Sequence, residues 1–182
     1  MDLTGRLVRL RGLREADEPA LVGILAEPAV TERLPLWALR PIGAQDVRRL
    51  IRDTDATTVR WGVEDRRDGA LIGVTSVLRI ELRDRNADWE IVLGGPDRWG
   101  AGLGTEACRL ATGFALAHLA VTKVSTMVPV TNPSARHSAE RAGYVLEGTQ
   151  RRHVFRDGRL VDVDVLAAFA DDPKWIEASA WI

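Results

Sequence analysis

The chain has 182 residues and 20.0 kDa, with 25 Lys and Arg against 26 Asp and Glu for a formal charge of -1. That length suits one domain with a core of its own, and the charge balance excludes a protein-wide phosphate-binding field, so nucleic acid is not an expected partner. Cys108 is the sole cysteine, which excludes an internal disulfide and a multi-cysteine zinc site; with no apolar run near the roughly 20 residues of a membrane helix and no apolar signal-peptide core in residues 1–18, a cytoplasmic protein away from membranes is expected.

In chain order, Arg6 to Arg11 alternates polar and apolar residues and predicts a half-buried strand. Arg14 to Ala26 predicts a helix, with Glu15, Asp17 and Glu18 in its first turn and Pro28 closing it. Ala29 to Ile42, with Pro35 and Pro41, reads as irregular or a short broken helix, and Ala44 to Arg52 as a second helix. Three strands are expected at Thr57 to Glu64, Leu71 to Leu82 and Asp88 to Leu93, joined by charged hairpin turns. Gly102 to His118 carries Leu103, Ala107, Leu110, Ala111, Phe114 and Ala115 on one stripe; with the next strand, Lys123 to Val130, it makes a βαβ unit. A helix from Ser134 to Ala142 ends at Gly143, two strands flank an Arg156–Arg159 turn, and residues 170–182 read as a tail. No repeat or linker divides the chain, so residues 1–182 are expected to form one domain.

Between a strand and an amphipathic helix lies Arg98-Trp99-Gly100-Ala101-Gly102-Leu103-Gly104-Thr105-Glu106-Ala107. Glycine lets backbone approach a ligand, and a helix N-terminus offers unpaired N–H groups and a favourable dipole, so the segment suits a pyrophosphate; read alone, it is also an ordinary tight turn. A triphosphate loop needs Gly-Lys-Ser/Thr, and Gly104 is followed by Thr105-Glu106. A dinucleotide fingerprint would need glycine at position 105.

This loop, with the strand before it and the Asn132–Tyr144 segment after it, resembles the GNAT superfamily of acyl-CoA N-acyltransferases, and Trp99 to Ala107 is similar to its RimJ/RimL-like group. Asn132, Glu140, Arg141, Gly143 and Tyr144 stand at the spacing of the family's second signature, while Ala101 occupies an often basic loop position. The resemblance implies an α/β (α+β) fold: a mixed, mostly antiparallel central sheet, helices on both faces, and a splayed βαβ unit holding acetyl-CoA. It implies that Trp99, Gly100, Ala101, Gly102, Leu103, Gly104 and Thr105 cradle the donor. Backbone groups of Ile91, Val92 and Leu93 would meet the thioester, Asn132 the pantetheine arm, and Arg136 and Arg141 the nearby charges.

Acetyl transfer to an amine needs a route for the amine proton, a donor to the thioester carbonyl and a fate for the thiolate. Asp88 and Glu90 lie two apart on a predicted strand and share a face, so both are candidates for the base, with Glu90 preferred for its reach. They also fit an edge strand facing solvent. Where relatives carry a Ser or Tyr to protonate the thiolate, this chain has Ala135 and Ala139, leaving Ser134 and Ser138 as neighbours about 100° away around the helix. Glu32, Leu36, Trp37 and His153 are candidates for the acceptor side. No metal is expected, because no paired ligand spacing occurs, and Cys108 reads as packing. The expected activity is transfer from acetyl-CoA to a primary amine of a protein N-terminus or a small molecule. An aminoacyl-tRNA donor and a non-catalytic CoA-binding module are the alternatives, and a homodimer is expected.

Overall fold

The computed structural model describes residues 1–34, 42–53 and 55–178, with side chains through 175. Strands β1 (Leu3–Thr4), β2 (Val8–Arg11), β3 (Val59–Asp65), β4 (Leu71–Glu81), β5 (Asn86–Leu93), β6 (Lys123–Pro129), β7 (Val145–Arg156) and β8 (Arg159–Phe169) form one sheet in the order β1-β2-β3-β4-β5-β6-β8-β7. Every neighbouring pair is antiparallel except β5 and β6. Helices α1 (Glu18–Ala26), α2 (Pro28–Thr31) and α3 (Ala44–Arg52) cover one face; α4 (Leu103–His118), α5 (Pro133–Ala142) and α6 (Pro173–Ala178) cover the other. This is the expected mixed, mostly antiparallel architecture.

The alternation of β5 divides its side chains between two cores. Ala87 and Trp89 join Trp61, Val63, Val77, Val124 and Leu166 beneath the small-residue stripe Ala107, Ala111 and Ala115 of α4. On the opposite face Val92 packs with Val74 against Leu21, Leu25 and Val47 of α1 and α3. Asp88 and Glu90 therefore share the α1–α3 face.

The parallel pairing of β5 with β6 is short. It runs through Asn86↔Lys123, Ala87↔Val124 and Asp88↔Ser125 and stops. Beyond it β5 stays on β4 as far as Gly73↔Leu93, and β6 stays on β8 as far as Pro129↔Val163. The sheet thus parts after Asp88 and Ser125.

Several sequence expectations shift. The first helix begins as a 3-10 turn, Glu15–Asp17, and becomes α-helical only at Glu18. Asp17 is not simply a helix-dipole partner: it takes both amino groups of Arg11 at 2.9 Å, while Arg11 Nε donates to Glu64 at 2.7 Å. Alternation sends Arg11 to the face opposite Leu10. The start of α1 covers that face, so the arginine is buried and needs these partners. Nor are residues 170–182 a loose end throughout: α6 lays Trp175 edge-on to Tyr144, with its indole atoms 3.2 to 3.4 Å from where a Cβ on Gly143 would sit.

Candidate active site at the parted strands

The glycine loop stands at the wide end of the gap. Gly100 and Gly102 have φ of +81° and +83°, values that glycine tolerates and L side chains disfavour, and Gly102 caps α4. Gly104 lies close to both β5 and α5, since a Cβ there would meet Leu93 Cδ1 at 3.3 Å and Ser138 Oγ at 3.5 Å. Trp99 donates its indole N–H to the Leu93 carbonyl at 3.3 Å, and the Arg33 guanidinium lies 4.1 Å from the centre of its ring. The first turn of α4 therefore presents its N–H groups toward the gap beside Leu93.

Two acidic groups that sequence reasoning missed hold this loop in place. The Glu106 carboxylate accepts the backbone N–H groups of Arg6, Leu7 and Val8 at 3.0, 2.6 and 2.7 Å. A Cβ on Gly5 would come within 2.5 Å of that carboxylate, so the β1–β2 turn can wrap it only with glycine there. The second is Asp65. It accepts from Arg67 and Arg98, and Arg98 also reaches Asp68 at 2.8 Å. Hydrogen bonds from Arg67 and Arg98 hold the Asp65 carboxyl below the ordinary aspartate range against the opposing effect of burial. Arg98 is consequently a strut for the loop, already paired. No local sequence pattern signals the role of Glu106, because its partners lie 98 to 100 residues away.

At the narrow end, the expected pair of carboxylates does share a face, in different settings. Asp88 forms an ion pair with Arg79. Glu90 stands opposite Ser76, which stands opposite Arg60, and its carboxylate has no hydrogen-bond partner among the described residues. The Glu90 side chain is exposed to solvent, with protein packed around its base. Desolvation there pushes its carboxyl above the ordinary glutamate value of 4.5; Arg60 and Arg79 pull it down, and Asp88 adds to the rise. Arg60 is itself held by Asp53 at 3.0 Å, by the Leu50 carbonyl and by Ser76. Of the two acids, Glu90 is the one left chemically unoccupied.

Other predicted site residues fall as follows. Ile91 and Leu93 face α4 and Val92 faces α1, all along the gap. Asn132 accepts the Ala135 N–H at 3.2 Å and so caps α5. Ser138 pairs with Thr105 at 2.9 Å across α4 and α5, whereas Ser134 is exposed. Arg136 spends its guanidinium on Asp164 at 2.6 Å and Glu140 at 2.9 Å; the Arg141 side chain makes no ion pair among the described residues. Glu32 is exposed at the end of α2, and His153 is exposed in a bulge of β7. The β7–β8 hairpin tip reaches the same side, where Arg156 donates to the Leu34 carbonyl at 2.9 Å. Leu36 and Trp37 lie outside the described residues. Cys108 is buried, and desolvation pushes its thiol far up, consistent with packing.

Comparison with known proteins matches residues 7–145 to the acetyltransferase (GNAT) domain family. A spermidine N(1)-acetyltransferase of Vibrio cholerae is 32% identical over 104 residues, which span 57% of this chain and 59% of that relative. An uncharacterized N-acetyltransferase, YoaA of Bacillus subtilis, is 24% identical over 169 residues, covering 89% of this chain and 92% of the relative. Among solved structures, a Vibrio cholerae spermidine N-acetyltransferase in complex with CoA and spermine superposes with a TM-score of 0.80 at 24% identity, covering 94% of this chain and 99% of that one.

Proposed function

The chain belongs to the acetyltransferase (GNAT) family, and from that premise we propose that it moves an acetyl group from acetyl-CoA to a primary amine by direct attack. The observation that carries the reading is the parting of β5 from β6 below the glycine-rich start of α4. A pyrophosphate at Gly100 to Thr105 meets backbone N–H groups and the positive end of the helix dipole without needing Arg98, Arg136 or any other side-chain cation. From there the pantetheine arm runs down the gap past Ile91, Val92 and Leu93, whose backbone N–H groups supply the donor to the thioester carbonyl. The Asn132 amide NH2 faces the arm while its carbonyl caps α5.

Glu90 takes the amine proton, directly or through one water. Its raised proton affinity suits that task, because a base works best when its pKa approaches the operating pH. Asp88, paired with Arg79, shapes the field around Glu90 and stays out of proton transfer. On the acceptor side we assign Glu32, Leu36, Trp37 and His153, and we name a small-molecule amine as the acceptor, the class to which spermidine belongs. The likeness of Trp99 to Ala107 supports a RimJ/RimL-like subgroup, the single cysteine supports a cytoplasmic setting, and exposed Val145, Leu146 and Phe155 on the edge hairpin support a homodimer. Among the described residues, no helix is long and apolar enough to cross a membrane.

The test follows CoA release from acetyl-CoA with spermidine, spermine, a monoamine or a peptide N-terminus added in turn. Amine-dependent release that collapses in Glu90→Gln is the expected result. Acetyl-CoA binding with no release in any mixture overturns the catalytic reading; no binding overturns the donor assignment as well.

A further inference from the structure

The leaving sulfur needs a partner, and α5 offers none: at the positions where the resemblance led us to expect a hydroxyl stand Ala135 and Ala139. Ser138 is tied to Thr105, and Ser134 points to solvent. On the α4/α5 face, the β6 hydroxyl next to the point where the strands separate belongs to the other wall of the gap. Thr126 is the first residue of β6 beyond the last parallel pair, Asp88↔Ser125. By alternation its side chain shares the α4/α5 face with Val124 and Val128, which pack in one core with Ala139 and Ala142.

Thr126 is 6% exposed, yet its hydroxyl makes no hydrogen bond among the described residues. Among these residues Trp175 Nε1 is the sole sealed polar side-chain atom without a partner, so the Thr126 hydroxyl still opens onto space. Between two buried valines, a valine would pack equally well, so the hydroxyl adds nothing to the core. Five residue steps of β5 lead from Asp88 to Leu93, about 17 Å of extended strand between the glycine loop and this point, a span suited to an extended pantetheine arm.

We infer that the Thr126 hydroxyl donates a hydrogen bond to the CoA sulfur at the narrow end of the gap and stabilises the departing thiolate. The step rests on the acetyl-CoA reading above. The amine nitrogen forms its bond to the acetyl carbon, the carbon–sulfur bond breaks, and sulfur leaves with the electron pair. The amine proton goes to Glu90 or water, and the thiolate takes a proton from solvent. Threonine is far too weak an acid to give up its own proton to a thiolate, so it contributes the hydrogen bond alone.

The experiment compares the wild type with Thr126→Val and Thr126→Ser in two assays. In turnover, Thr126→Val lowers kcat about 10-fold with the acetyl-CoA KM within about 2-fold, and Thr126→Ser restores it; a packing role instead favours valine and penalises serine. In binding, a pH titration of CoA held on the protein, read by thiolate absorbance, places the thiol pKa about one unit higher in Thr126→Val. Asp88 and Glu90 of β5, Cys108 of α4, His137 of α5, Asp164 of β8, and Tyr144 between α5 and β7 are common to both proteins, so the difference isolates the hydroxyl. Equal thiol pKa values in wild type and valine variant overturn the role of Thr126 even if transfer proceeds. A pKa difference without turnover keeps the sulfur contact and removes the transferase reading, and failure of CoA to bind removes both.

Discussion

In the proposed site, backbone forms the wide end of the gap between β5 and β6 and side chains form the narrow end. Gly100, Gly102 and the first turn of α4 present N–H groups whose direction follows from φ and the helix axis, so side-chain identity matters little once the glycines are in place. At the narrow end, Asp88 and Glu90 sit two residues apart on one strand face and differ completely in what surrounds them. One is neutralised by Arg79; the other is left unpaired and partly desolvated. The reason is a bulge: the register of β4 against β5 slips between Leu78 and Glu81, and Arg79, at φ +50°, turns toward Asp88. The contrast teaches that a loop of free backbone N–H groups can be written into a local motif, while the setting of a carboxylate depends on neighbours from distant strands.

The largest expected effect breaks the narrow end. Glu90→Gln should lower kcat about 10³-fold, while Asp88→Asn, which frees Arg79, should lower it about 10-fold or less. Activity should fall as pH drops through a proton affinity raised above 4.5, because the base must be ionised. Stability runs the other way. A carboxyl whose folded pKa is raised contributes stability below its unfolded pKa that is lost as pH rises through the folded value. Glu90→Gln should therefore unfold at an equal or higher temperature than wild type at neutral pH, an advantage that vanishes below about pH 4. Equal losses in both variants would erase the distinction between the two acids.

At the wide end, Glu106→Ala leaves three N–H groups of residues 6 to 8 without their acceptor and should cost about 3 kcal/mol in a denaturant titration. Its acetyl-CoA KM should rise while kcat at saturation stays within a few-fold. Gly102→Ala should cost about 1–2 kcal/mol, the penalty for an L side chain at that φ, again with the effect on donor KM. A kcat loss with unchanged KM in either variant would mean that the loop acts on chemistry as well as on binding. The smallest effect belongs to Ser138→Ala, which removes its bond to Thr105 and should change stability and kcat by less than about 1 kcal/mol each.

Local pattern carried a good deal of this. The strand-to-helix glycine segment, the apolar stripe of α4 and the shared face of Asp88 and Glu90 all depend on periods of 3.6 or 2 and on glycine stereochemistry, which neighbours in sequence reveal. The pattern from Ser134 to Gly143 likewise located α5 and its C-terminal cap. Trp175 was out of reach for the same reason in reverse, since nothing near it in sequence announces a docking partner; its position comes from Tyr144 and Gly143.

What the amino-acid order determined by itself was the set of elements, the glycine loop and the placing of two carboxylates on one strand face. The tertiary structure decided how differently the two are surrounded. Arg79 reaches Asp88 of β5 from β4, the charge of Arg60 acts on Glu90 from β3, Glu106 gathers the turn at residues 5 to 8 from the far side of the chain, and Thr126 lies beside the gap because β6 leaves β5 after Ser125. Each of these is a relation between distant segments that exists only when the sheet has brought them together, so no local period or spacing could encode it.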